Sequence, residues 1–261
     1  MSPQLLQQFY DSFATGYAKR LDPTLDGAAE RLAELAGARP GMRLLDLATG
    51  TGTAARAAAR LGASVAAVDR SPGMLAVARG LSGALDLRRA DAHALPFEDG
   101  NFDVVTCGLS LSHFADRDRV LREILRVLRP GGRFVASAWG EGSHLPTGVV
   151  DELLDRYDAA VRSELLDEET WLHPEQGSSA LRRAGFADVS VKSESFDGSF
   201  VDGEEALAWA LGWPLTASKL AGLDSAQRER FRRESLQALA GSRLSWRMAF
   251  NFYLASKSSS A

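Results

Sequence analysis

The segment Arg43-Leu44-Leu45-Asp46-Leu47-Ala48-Thr49-Gly50-Thr51-Gly52-Thr53-Ala54-Ala55 constrains this chain more than any other. An apolar run ends in an acid, passes through two glycines one residue apart and opens into alanine-rich sequence. That order reads as strand, tight turn and helix. Glycine is needed where a chain turns sharply and where backbone must approach a ligand with no Cβ in the way. Gly50-x-Gly52-x-x-Ala55 also fits a relaxed dinucleotide fingerprint, a pattern with many false positives when it stands alone. The flanking sequence has to decide which nucleotide-like cofactor the loop serves.

Upstream, residues 3–20 carry Leu6, Phe9, Tyr10, Phe13 and Tyr17 at helical spacing. On spacing alone this stripe either packs on the core or forms a lid whose Phe13 or Tyr17 touches ligand. A second amphipathic helix spans 26–37 with Gly37 as its C-cap, and Pro40-Gly41 turns the chain into the first strand. Downstream the pattern alternates: strand 43–47, helix 53–61, strand 64–68, helix 72–80, strand 85–89, strand 102–107 and helix 117–128. Pro130-Gly131-Gly132 then turns the chain into strand 133–138. Alternating units of this kind predict an α/β fold with a doubly wound, mostly parallel sheet covered by helices on both faces. Ligands of such sheets lie beyond the carboxyl ends of the strands. Asp46, Asp69 and Asp91 all fall at that edge, about one βα unit apart. Three acids suit a ligand with hydroxyls, an exocyclic amine and positive charge, whereas they would repel a pyrophosphate.

In this order and spacing the motifs resemble those of the class I S-adenosylmethionine-dependent methyltransferases, the broad family that includes the ubiquinone/menaquinone-type enzymes. The resemblance covers about residues 10–140. Leu45-Asp46-Leu47-Ala48-Thr49-Gly50-Thr51-Gly52 is similar to the family's glycine loop, with Ala48 where glycine is frequent. Val68-Asp69-Arg70-Ser71-Pro72-Gly73-Met74-Leu75 is similar to its second-strand motif, and Ala90-Asp91-Ala92-His93-Ala94-Leu95-Pro96-Phe97 to its third. Phe102-Asp103-Val104-Val105 and Leu121 to Gly132 complete the series. The resemblance implies S-adenosylmethionine as cofactor and a Rossmann-like sheet of seven strands whose last strand is antiparallel. It places Asp46 and Ala48 in the binding loop, with Gly50, Thr51 and Gly52 approaching the methionine moiety. Asp69, beside Arg70, would bind the ribose hydroxyls, Met74 would flank adenine, and Asp91 with Ala92 would reach the adenine amine. Tyr17 would reach the methionine end, and Cys107 and Leu109 would line the pocket through their backbone.

Beyond Trp139 the chain leaves the shared pattern. Helices are expected over 148–166 and 175–185, a strand begins over Gly185 to Lys192, and a last strand covers 245–255. Residues 1–40 are expected to form an N-terminal helical lid, and 41–197 with 245–256 the cofactor-binding core. Residues 198–244 are expected to form a helical insertion capping the substrate side, with helices over 204–211 and 226–239. Its Phe200, Trp209 and Trp213, with Trp171 before it, suggest an apolar or aromatic acceptor, although Trp209 and Trp213 at i,i+4 equally describe a packing stripe. Residues 256–261 are expected to be disordered.

A hydroxyl or acidic-carbon acceptor needs a general base, and His113, just past the fourth strand, is the candidate catalytic residue. It could instead cap the helix at 117–128 or bond a backbone carbonyl. His144 and His173 are further candidates, and His93 is expected beside adenine. The arginine-rich helix reads as a solvated face with Asp118–Arg122 and Arg119–Glu123 pairs. A net charge of −4 with no basic stripe disfavours nucleic acid as partner. Cys107 is the single cysteine, so it offers neither an internal disulfide nor a zinc ligand set, and no metal is expected. With no signal-peptide pattern and no apolar run of about 18 residues, the expectation is a cytoplasmic, non-membrane enzyme methylating a small molecule at oxygen, carbon or nitrogen, its oligomeric state open. The alternatives are a protein that binds the cofactor without catalysis and an NAD-dependent oxidoreductase.

Overall fold

The computed structural model describes residues 3–83, 85–157, 171 and 173–259. Seven strands form one sheet in the order β3-β2-β1-β4-β5-β7-β6. Strands β1 (Arg43–Leu47), β2 (Ser64–Asp69), β3 (Asp86–Arg89), β4 (Phe102–Gly108) and β5 (Leu128–Trp139) are parallel. β7 (Ser245–Ser256) inserts antiparallel between β5 and the edge strand β6 (Ala187–Ser199). The order reverses between β1 and β4, which opens a crevice at the carboxyl ends of those strands.

Side chains alternate across β1 and sort into two apolar layers. Leu44 joins Leu32, Ala36, Ala57 and Ala58 on the face covered by α2 (Asp22–Ala36) and α3 (Thr53–Arg60). Leu45 and Leu47 join Val105, Phe134, Leu121 and Ile124 on the face covered by α5 (Arg117–Val127) and α7 (Pro174–Arg183). Two helix ends carry caps that the sequence supplies. Gly37 closes α2 in the left-handed conformation (φ 69°), and the Ser71 hydroxyl caps α4 (Pro72–Leu81) by accepting from the Met74 amide at 3.0 Å.

Several boundaries differ from the sequence reading. α2 starts at Asp22, because Pro23 is acceptable in a first helical turn. Pro130-Gly131-Gly132 is not a turn before β5 but a bulge within it. Pairing jumps from Phe102–Leu128 to Val104–Arg133, and a Cβ on Gly132 would sit 2.8 Å from the Arg129 carbonyl oxygen. α6 is described over Gly148–Tyr157, and the rest of the helix expected to 166 lies outside the described residues. The chain end is more ordered than expected. Ser256 closes β7, and the Lys257 amide donates to the Gly132 carbonyl at 2.8 Å; Ser260 and Ala261 lie outside the described residues.

The insertion holds α8 (Gly203–Ala210), α9 (Pro214–Ala221), which the sequence reading missed, and α10 (Ser225–Ala240). Its aromatics are packing residues. Phe200 and Trp209 are buried, the Trp209 indole donates to the Thr24 hydroxyl at 2.9 Å, and Trp213 packs edge-on between Trp209 and Trp139. The insertion thus packs chiefly on α6 and reaches the start of α2 through Trp209. Trp171 is buried against Tyr253.

Candidate active site

The crevice at the strand ends is a cleft with about 1390 Å³ of atom-free space, part of it continuous with solvent. Its floor is the β1–α3 loop, where Ala48, Gly50 and Gly52 all have positive φ (53°, 55° and 83°). A Cβ on Gly50 would meet nothing within 4 Å. The residue therefore serves the backbone conformation and leaves the cleft floor bare. Gly52 starts α3 and lies outside the cleft lining.

The three strand-end acids have different duties. Asp46 is buried, and its two oxygens accept from the Thr49 and Thr106 hydroxyls at 2.6 and 2.7 Å. Burial pushes its carboxyl up to about 6 against those hydrogen bonds, and the nearby Asp69 charge adds to the rise. Asp46 therefore borders the cleft but anchors the loop. Asp69 accepts from the Gly50 amide through Oδ2 and from the Ser71 amide through Oδ1, each at 2.8 Å. Each oxygen keeps lone-pair capacity for a ligand hydroxyl. Burial pushes this carboxyl up, opposed by the backbone N–H groups that favour its ionised form. Asp91 bonds the ring and amide of His93 at 2.6 and 2.9 Å. Burial opposes its ionisation, but His93 and the Arg70 charge outweigh that and hold it below the usual carboxylate range.

Arg70, Met74, Ala92, His93 and Leu109 also border the cleft. Cys107 does not: it lies within β4 with its side chain buried in the sheet core, and burial pushes its thiol up. The backbone after it, Gly108 to Ser110, lines the cleft instead. His144 bridges to Arg247 and His173 pairs with Glu141 at 3.2 Å, both away from the cleft. Asp116, not His113, caps α5, by accepting from the Arg119 amide. Of the expected pairs on that helix, Glu123 is held instead by Arg126 at 2.8 Å, and the Arg119 guanidinium donates to the His93 carbonyl at 2.7 Å.

His113 ends a short 3₁₀ turn (Leu111–His113) and faces the cleft, its Nε2 3.4 Å from the Tyr10 hydroxyl. Desolvation pushes the imidazole down to about 4, so it is neutral near pH 7. Tyr10 packs edge-on against Tyr17, and both border the cleft. None of the described lining residues comes from 198–244; the roof is α1 (Pro3–Arg20) together with the start of α2.

α1 is fastened by a residue the sequence reading missed. Asp11 Oδ1 accepts from the Ser71 hydroxyl at 2.5 Å and the Gly73 amide at 2.9 Å, a carboxylate at the positive end of α4. A Cβ on Gly73 would lie 2.7 Å from the Asp11 carbonyl oxygen and 2.8 Å from its Cα. Gly73→Ala is therefore expected to lift α1 at a cost of about 1–3 kcal/mol. Limited proteolysis should cut within residues 3–20 several-fold faster while the melting temperature of the sheet changes little. Unchanged cleavage there would show that α1 is not held at this contact.

The lining sets four carboxylates (Asp22, Asp46, Asp69 and Asp91) against one guanidinium, Arg70. Such a wall favours a cationic ligand and opposes a pyrophosphate. Comparison with known proteins points the same way. Residues 45–136 match the family model described as a methyltransferase domain. The chain is 41% identical over 171 residues to a demethylmenaquinone methyltransferase of Clavibacter sepedonicus, covering 59% of this chain and 69% of that one. It is 32% identical over 207 residues to the enzyme of the same name from Renibacterium salmoninarum, covering 73% and 87%.

The chain belongs to the class I S-adenosylmethionine-dependent methyltransferases of the ubiquinone/menaquinone type.

This methyltransferase shares its fold with the Bacillus subtilis protein YcgJ, at a TM-score of 0.58 and 18% identity, over 89% of this chain and 98% of that one. It transfers a methyl group from S-adenosylmethionine to a small-molecule acceptor. The four-to-one balance of acids over base at the cleft fits a sulfonium cofactor that also carries an ammonium group.

Proposed function

We propose that the acceptor is a small, largely apolar aromatic molecule, methylated at a ring carbon or a ring hydroxyl, with His113 as general base. What carries this reading is a neutral imidazole beside the Tyr10 hydroxyl, facing a bare glycine loop in a cleft lined by Tyr17, Leu25, Leu32, Leu109 and Phe114. The names of the two relatives, both demethylmenaquinone methyltransferases, support a hydroquinone-like ring.

In this reading Asp69 holds the ribose hydroxyls, Met74 flanks adenine, Asp91 and Ala92 face the adenine amine, and Arg70 borders that end. Gly50 and Thr51 lie along the methionine portion, with Tyr17 above it and Asp46 keeping the loop in shape. The cofactor supplies an electrophilic methyl group on a sulfonium. His113 takes the acceptor's proton at Nε2, directly or through the Tyr10 hydroxyl, which raises electron density at the ring atom to be methylated. α1 closes over the pair and excludes water. Residues 1–40 then act as the lid, 41–197 with 245–256 as the core, and 198–244 as a support packed chiefly on α6. No helix among the described residues is long and apolar enough to cross a membrane, and we place the enzyme in the cytoplasm, without nucleic acid as acceptor.

The test is transfer of labelled methyl from S-adenosylmethionine to a panel of naphthohydroquinones, phenols and amines. Label is expected in the hydroquinone or phenol products. Label in amines alone would overturn the acceptor assignment.

A further inference from the structure

His93 joins two parts of the cleft that come from different loops. On one side it holds Asp91, whose Oδ1 accepts from the His93 amide at 2.9 Å and meets ring Nδ1 at 2.6 Å. Among the described residues nothing donates to Oδ2, and the Asp91 side chain is 54% exposed. That oxygen keeps its lone pairs for a ligand. On the other side ring Nε2 faces the Asp116 amide at 3.4 Å, a long contact, and the ring stands perpendicular to Phe114 with centroids 6.1 Å apart. Asp116 caps α5, and Phe114 follows His113 in the cleft wall. A carboxylate accepts and an N–H donates, so one ring meets both partners when its proton sits on Nδ1. The loop backbone is held separately by α5. Arg119 donates to the His93 carbonyl at 2.7 Å, Glu123 accepts from the Leu95 amide at 2.7 Å, and Arg126 donates to the Leu95 and Phe97 carbonyls at 3.0 and 2.7 Å. The ring is therefore an addition to a loop that is fastened without it.

We infer that His93 is a positioning residue that couples the cofactor's adenine end to the wall the acceptor meets. It turns Asp91 so that Oδ2 is left for the adenine amine. A ligand held there fixes the carboxylate, and the carboxylate fixes the ring. The ring in turn steadies Phe114 and the Asp116 amide, one and three residues beyond His113. Order gained at one end lowers the cost of ordering the other, and such coupling is reciprocal. The inference rests on the cofactor reading above and adds to it a side-chain link between cofactor binding and the segment that carries His113.

Two variants separate the two links. His93→Ala removes both, whereas His93→Asn keeps a donor near the place of Nδ1 for Asp91 and is too short to reach Asp116. By titration calorimetry His93→Ala is expected to bind S-adenosylhomocysteine roughly 3- to 10-fold more weakly, the scale of one lost hydrogen bond. His93→Asn should bind it within about twofold of wild type. Hydrogen exchange at the amides of residues 113–116 reads the second link. Saturating S-adenosylhomocysteine should slow exchange there several-fold in wild type, and the slowing should be lost in His93→Asn, most of all at Asp116. Should a variant not fold, the wild-type ring carries the test: its ¹⁵N spectrum at pH 8.5 should show Nδ1 protonated and Nε2 bare. A proton on Nε2 would overturn the assignment. So would unchanged affinity in His93→Ala, an equal loss of affinity in both variants, or equal slowing at 113–116 in wild type and His93→Asn. Wild type that does not bind S-adenosylhomocysteine would instead remove the cofactor reading, and this inference with it.

Discussion

His113→Gln is expected to lower kcat by about 10²- to 10⁴-fold, the range of a positioned general base. Glutamine keeps a polar group within reach of Tyr10, so packing survives while the basic nitrogen is lost. Affinity for S-adenosylhomocysteine should stay within about twofold, because a base acts on the acceptor and removes no uniform binding. The pH profile carries independent information. A base works in its unprotonated form, and burial pushes the His113 imidazole down to about 4. The neutral form therefore persists as pH falls, and its rate contribution is lost only as pH drops through about 4. An exposed imidazole would instead give a limb near its ordinary value of about 6.5. Rates in steady-state assays should be flat with respect to this group from about pH 5.5 upward. An unchanged kcat in the variant would strip His113 of its role. A limb near 6.5 that vanishes in His113→Gln would show the base acting from a solvated position.

Asp69→Ala is expected to weaken S-adenosylhomocysteine binding by about 1.5–3 kcal/mol, the value of hydrogen bonds to an ionised group. Two losses combine. The carboxylate would no longer accept from ligand hydroxyls, and the Gly50 and Ser71 amides it holds at 2.8 Å would be freed. The second loss loosens the very turn that keeps the cleft floor bare. Asp69→Asn separates them, since its amide oxygen can still accept one of those N–H groups while the charge is gone. Calorimetry should rank wild type above Asn above Ala. Equal affinity in all three proteins would remove Asp69 from the ribose site.

Much of the sheet was legible because β1, β2 and β4 are buried on both faces and read as short apolar runs bounded by turn residues. The glycine loop was legible because positive φ at positions 50 and 52 demands a particular residue type. Contacts between distant segments were not. Tyr10 meets His113 across 103 positions and Asp11 meets Ser71 across 60, and neither helix spacing nor residue type marks such partners. Nothing in the sequence singles out Asp22, since only the fold brings it to Thr51. Asp46 borders the cleft as its position in the loop suggests, but the two threonines that its oxygens accept from are not brought near by sequence alone. The insertion's tryptophans were ambiguous for a simpler reason: an i,i+4 aromatic pair looks the same whether it faces a cleft or a core.

Titration calorimetry of the purified protein with S-adenosylhomocysteine, and separately with NAD, tests the central claim most directly. One saturable site per chain is expected for the first ligand and no binding for the second, because four carboxylates border the cleft. Binding of NAD without binding of S-adenosylhomocysteine would contradict it.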